Sequence, residues 1–257
     1  MLSLRDFLVR GLLAGVLAGL VAFAVGYVVG EPSVEAAIAL EESGGGHTHG
    51  PGEAHEDEEA GTEVPRDLQS TVGLATGMLV LGAALGGLAG IATGLAFGRF
   101  GRMTARSTAM AVAGTGFVSL FLAPFLLYPP NPPAVGDGDT IGTRTGLYFA
   151  MLAISVLAVV LAVYVGRSLH PRIGAWYAGL AGAAGYLVVV LIALAVMPRY
   201  DEVPAEFPAS LLYEFRQASV ITQAVLWGVI GVVLGELSHR LHLGRTAAAD
   251  RAGVPVG

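Results

Sequence analysis

Residues 72–97 read VGLATGMLVLGAALGGLAGIATGLAF, 26 positions without one Asp, Glu, Lys or Arg. A helix rises about 1.5 Å per residue and bilayer hydrocarbon is about 30 Å thick, so about 20 mainly apolar residues suffice to cross it. The run is continuously apolar rather than alternating, which argues against a barrel strand. Five more stretches share this character: Leu8–Val29, Thr108–Tyr128, Gly146–Gly166, Ala175–Met197 and Ser219–Leu237. The expected fold is all-α: a polytopic integral membrane protein whose six transmembrane helices form a single bundle over 1–257. The first run follows Arg5 and Arg10 as a signal peptide would. It is too long for one, and no small-residue cleavage site follows Val29, so it is read as a retained helix.

Composition agrees. Of 257 residues 54% are hydrophobic and only 13% charged, with mean hydropathy +0.68, whereas soluble domains carry charge on about a quarter of theirs. The 37 glycines follow no three-residue period, which excludes collagen, and the absence of Cys excludes disulfides, thiolate metal sites, iron–sulfur clusters and thiol catalysis. All 14 basic residues are Arg. Ten fall at the N-terminus, between the second and third or fourth and fifth runs, or after the sixth; Arg66, Arg144, Arg199 and Arg216 fall on the other side. This asymmetry predicts that both termini are cytoplasmic in a multi-pass cell-membrane protein. Seventeen of the 20 acids lie in the outer segments, so the outer face attracts cations.

No ionisable residue occupies the middle of any run, which disfavours a pump with a titrating midplane acid. Glycines at 11, 15 and 19, and at 82, 86, 90 and 94, recur every fourth position. They suit close helix packing, with a glycine-lined path as the alternative. Ser219, Thr222 and Gln223 form the most polar face in the sixth run, and Met78, Met110 and Met151 are softer candidates for metal contact or for simple packing.

The outer segments carry the chemistry. Segment 30–71, read as a flexible acidic loop, contains GGGHTHGPGEAHEDEE, in which His47, His49 and His55 with Glu53, Glu56 or Asp57 could gather a divalent first-row metal. A solvated acidic loop is the alternative. Segment 129–145 is rich in Pro, Gly and Asp; Asn131, Asp137, Asp139 and Thr140 offer hard oxygen ligands, as an ion vestibule would, or the segment is a structural lid with Arg144 pairing one Asp. Segment 198–218 reads as an interfacial amphipathic helix with Glu206, Glu214 and Arg216 toward water. On the inner side, Glu236, His239 and His242 suggest either an exit-side metal site or a Glu236–Arg240 pair beside solvated histidines, and 238–257 reads as a disordered tail. Enzyme signatures such as Gly-x-Ser-x-Gly, a phosphate loop or His-Glu-x-x-His are missing, and nothing marks nucleic-acid binding.

The segment Gly30-Glu31-Pro32, the acidic His-containing loop, Tyr128-Pro129-Pro130-Asn131-Pro132-Pro133, Gly136-Asp137-Gly138-Asp139-Thr140-Ile141-Gly142, Arg144-Thr145, Glu202-Val203-Pro204, Phe207-Pro208 and Phe215-Arg216 together resemble the CbtA family of probable cobalt transporter subunits. The resemblance spans Arg10 to about Leu237. It implies a membrane subunit of a cobalt uptake system associated with cobalamin synthesis, without an ATPase domain of its own, working with a small single-span partner, CbtB. The transported substrate would be Co²⁺ or Ni²⁺, with no resident cofactor. The ion pathway expected from motif and chemistry comprises Glu31, Asn131, Asp137, Asp139, Thr222 and Gln223. Contacts beyond membrane lipid, the metal and CbtB extend to a homo-oligomer, which the sequence leaves open. The competing classes are a non-conducting accessory that binds metal for a partner, and a membrane enzyme using the outer Asp and Asn cluster.

Overall fold

A computed structural model describes residues 3–44, 65–99 and 103–251, with the backbone alone at 44 and 245–251. Its described residues are helical, without a strand. The helices are α1 (Leu4–Val25), α2 (Glu31–Gly44), α3 (Arg66–Leu68), α4 (Leu74–Ala96), α5 (Ala105–Gly116), α6 (Ala123–Leu127), α7 (Ile141–Val196) and α8 (Ala209–Arg251). One turn of π-helix joins α1 to α2 at Gly26–Gly30, another joins α3 to α4 at Gln69–Gly73, and a third joins α5 to α6 at Phe117–Leu122. Among the described residues, five continuous segments are long and apolar enough to cross a membrane: Leu4–Ser43, Arg66–Ala96, Ala105–Leu127, Gly138–Val196 and Ala209–Gly244.

The sequence leads one to expect six. The fourth and fifth apolar runs lie together on α7, because the Arg-containing stretch between them is itself helical up to Gly174. There φ is 78° and ψ 166°, a left-handed-side conformation that glycine adopts without a Cβ penalty. Beyond this break the chain folds back. Ser155 and Tyr186 hydroxyls hydrogen-bond at 2.9 Å, and a Cβ built on Gly182 would lie 2.8 Å from the Ala162 carbonyl oxygen. The two arms therefore pack antiparallel as a hairpin whose buried cluster includes Met151, Val190 and Ala193.

The other helices form a tighter body. Gly11, Gly15 and Gly19 on α1 meet Gly82, Gly86 and Gly90 on α4 backbone to backbone; a Cβ on Gly15 would come 2.0 Å from the Gly82 oxygen. No lumen runs between the ladders, so the glycines serve close packing. Across the body, α8 buries Leu226, Trp227, Ile230 and Leu234 against α1 and α5, with Gly231 under Met110 and Gly235 under Arg106. Met151 thus fills a packing position, while Met110 lays its sulfur over Gly231 with the rest of its side chain largely exposed.

Two outer segments and the C-terminal tail differ from expectation. The helix does not stop at Pro32 but continues as α2, and the third span likewise passes through Pro124. Each of these prolines sits two residues after a π-turn; proline brings no amide hydrogen, and a wider turn is one way a helix absorbs the resulting break in its ladder. Residues 198–218 do not form a separate interfacial helix: 197–208 are largely irregular and α8 begins at Ala209. The tail read as disordered is helical to Arg251.

Candidate functional site: a cavity roofed by the Pro/Gly/Asp segment

A cavity of about 800 Å³ opens at the end of the bundle opposite the chain termini, where all three π-turns lie. Gly26 and Gly30 of the first and Phe121 of the third line it, as does Leu74, which follows the second. Such turns widen a helix and recur at functional sites. Glu31, Asn131, Thr222 and Gln223 converge on this cavity, so four of the six expected pathway residues come together. Met78 and Ser219 join them, and Ser219 donates to the Phe215 carbonyl at 3.0 Å.

Asp137 and Asp139 do not line it. Both are exposed in the roof, where Asp137 caps a short 3₁₀ turn by accepting from the Asp139 amide at 2.9 Å. The Asp137 carboxylate thus shapes the loop, and Asp139 contributes its amide to that cap. Arg144 anchors the roof as a lid residue would, but through Glu202 and the backbone: Nη1 lies 3.2 Å from Glu202 Oε2, and Nη2 donates to the Asp137 carbonyl at 3.2 Å. Gly136 lies against this guanidinium, and at φ 129° it holds a conformation rare for L side chains; a Cβ there would lie 3.0 Å from Arg144 Nη2. Glu202 also accepts from Thr140 Oγ1 at 2.5 Å and from the Asp137 amide at 3.0 Å. The Thr140 hydroxyl above all, then the Asp137 amide and the Arg144 charge, hold its carboxyl below the usual carboxylate range.

Two further arginines complete the wall. Arg66 pairs with Glu31, and Arg216 donates to Asn131 Oδ1 at 3.0 Å. Arg216 is half-buried against the cavity rather than turned to water, because α8 starts earlier than a separate surface helix would allow. Three residues before Ser219 and seven before Gln223, it shares their helix face, and Phe207-Pro208 ahead of α8 was the start signal available in the sequence. Glu202, Tyr128, Tyr148 and Tyr200 also line the cavity without having been picked out as site residues, and the Tyr128 hydroxyl bonds the Pro198 carbonyl at 2.7 Å. Of the acids that line the cavity, Glu31 and Glu202 are ion-paired with arginines, while Asp201 interacts with Arg216 only through its field. Among the described residues, no group of three His, Cys, Asp or Glu side chains is placed to hold a metal ion.

On the inner side, Glu236 bonds Arg240 at 2.7 Å and Arg106 at 2.8 Å, so the ion-pair alternative is the one observed. His242 packs edge-on against Phe97. His47, His49, Glu53, His55, Glu56 and Asp57 lie outside the described residues.

A chain whose described residues are helical, with several segments apolar and long enough to cross a bilayer, has the form of a multi-pass membrane protein. Comparison makes this specific: the family described as "Probable cobalt transporter subunit (CbtA)" matches residues 4–239, and the chain belongs to it. That family is a transporter subunit rather than an enzyme, with cobalt as the metal in its description. No curated protein and no solved structure matches the chain.

Proposed function

We propose that this subunit collects a divalent transition metal, Co²⁺ with Ni²⁺ as the nearest competitor, on its outer face and passes it into the cytoplasm. The observation that carries the reading is the convergence of Glu31, Asn131, Thr222 and Gln223 on one cavity. His47, His49 and His55, with Glu53 and Asp57, gather the ion; neutral imidazole is needed, so capture fades below about pH 6.5. The cavity is far larger than a bare ion, so the ion enters with its water, exchanging part of it for Asn131, Thr222 and Gln223 oxygens. Glu31 becomes available when Arg66 releases it. Asp137 and Asp139 act at the rim, adding negative charge to the approach. The chain crosses the membrane six times with both termini cytoplasmic; the break at Gly174, the folded-back arms of α7 and the distribution of Arg support this. An inward-negative potential then favours uptake by about 2.3 kcal/mol per charge per 100 mV, doubled for a divalent ion.

Radioactive cobalt uptake into proteoliposomes, with and without an imposed inside-negative potential, tests this. Potential-driven uptake that Thr222→Val plus Gln223→Leu suppresses supports it; uptake unaffected by that pair refutes the assigned path. One observation favours a second reading. Immediately below Gln223, α8 buries Leu226, Trp227, Ile230 and Leu234, closing the inner half of the body. A non-conducting capture subunit that hands metal to a partner such as CbtB would bind cobalt, lose it with the triple histidine variant, and show no flux alone.

A further inference from the structure

The hairpin leans on the third span mainly through α6 and the adjoining π-turn. Toward the inner end, α5 and the two arms of α7 leave a groove of about 1070 Å³ between them. Its walls are apolar and small: Gly114 and Ala111 on one side, Ala162, Gly179 and Gly182 on the other. A Cβ built on Gly114 or Gly179 would meet nothing within 4 Å, so the space extends to the helix backbones. At the inner end the lining changes character, to Arg99, Arg167 and His170. A long apolar slot that ends in basic side chains at the depth of the helix ends matches one class of molecule in shape and charge, a lipid with acyl chains and an anionic head.

We propose that this groove is a binding site for an anionic phospholipid, its phosphate held by Arg99 and Arg167 beside His170 and its acyl chain filling the slot along Gly114 and Gly179. A lipid wedged there would complete packing that the protein leaves undone, joining the hairpin to the body at the inner end. The site is separate from the outer cavity and does not depend on what that cavity carries. A single-span protein or a second copy could occupy the same slot, but neither would need a phosphate-binding end beside the apolar one.

Native mass spectrometry of the detergent-released protein, with dioleoyl phosphatidylglycerol or dioleoyl phosphatidylcholine added, reads the site directly. Phosphatidylglycerol should remain bound preferentially, and Arg99→Gln plus Arg167→Gln should weaken it roughly 25-fold, at about fivefold per arginine. Arg240→Gln, which removes a charge that does not line the groove, should leave retention unchanged. Gly114→Leu, directed into open space, should displace the lipid with all charges intact and keeps the test valid if the arginine pair misfolds. Equal retention of both lipids, undiminished phosphatidylglycerol in the arginine pair, or a disulfide-linked dimer forming efficiently from Val163→Cys would overturn the proposal.

Discussion

Gly15→Ala offers a direct measure of how the bundle is held. The added methyl would sit 2.0 Å from the Gly82 carbonyl oxygen, 2.7 Å from its carbon and 3.0 Å from Gly86 Cα. All three are backbone atoms, so no rotamer change relieves the contact and α1 must retreat from α4 by more than an ångström. That retreat also loosens Gly11 and Gly19, whose own contacts are with α4 backbone. Overpacking of this kind costs about 1–3 kcal/mol, and the immovable neighbours place it toward the upper end. Replacing helical Gly by Ala returns up to about 1 kcal/mol of backbone propensity, leaving a net loss of about 2 kcal/mol. Gly185→Ala supplies the reference, since its Cβ meets nothing within 4 Å and only the propensity gain remains. Unfolding in mixed micelles, followed through Trp227 in the body core, should therefore separate the two variants by about 3 kcal/mol. Equal stability of the two would refute the packing role. If transport were lost at full stability, the ladder would instead be a conducting path.

Three other outcomes follow from the geometry. Because the Glu202 carboxyl is held below its ordinary range, the roof it ties down should persist at neutral and mildly acidic pH and loosen only as pH falls through that lowered value; hydrogen exchange at the Asp137 amide, corrected for intrinsic rate, should show this, and Glu202→Gln should remove the pH dependence. Trp176 lies two residues beyond the hairpin break and is 73% exposed, whereas Trp227 is 4% exposed. Lipids quenching at headgroup depth should dim Trp176 selectively, and quenching deepest at the bilayer centre would place the turn elsewhere. In cobalt uptake, Asp139→Asn should act mildly, within about threefold and relieved at high salt, as expected of a rim charge that works through the field. Glu31→Gln should persist at high salt, because Glu31 lines the cavity itself.

The apolar runs made the membrane helices legible, since length and hydropathy alone decide them. The glycine spacing likewise announced which faces would meet. The outer cavity was readable only in part. Glu31, Asn131, Thr222 and Gln223 could be chosen by chemistry, but their convergence depends on pairings across the chain: Arg216 reaches Asn131 over 85 positions and Thr140 reaches Glu202 over 62. No local pattern encodes such partners. Asp137 and Asp139 are ambiguous in sequence, because a carboxylate in a Gly-rich turn can bind a cation or cap an amide, and their spacing suits both. The exposed acid at 139 is spent on neither the cavity nor an ion pair with Arg144, whose charge goes to Glu202. The two arms of the hairpin read as separate helices in the sequence, but the turn between them is a single glycine conformation at Gly174 rather than a loop.

The charge balance of the cavity bears on what kind of site it can be. Glu31 and Glu202 each face an arginine, and Asn131 has its oxygen occupied by Arg216. A cage of free carboxylates at this position would hold a divalent ion tightly, and a transporter built that way would release it slowly. Conduction instead needs binding favourable enough to admit the ion and weak enough to let it go. Prepaired acids provide that compromise: each ligand the metal gains is one an arginine must give up, so the net gain per contact stays small. The same pairs tie elements together, Arg66 to the start of α2, Arg144 to the 197–208 segment and Arg216 to the roof. Exchanging arginine for metal would therefore loosen the cavity walls as the ion binds. On the transport reading, occupancy and the motion that opens the closed inner half are then linked through these three side chains, and replacing Arg66 with Gln should tighten cobalt binding while slowing its passage.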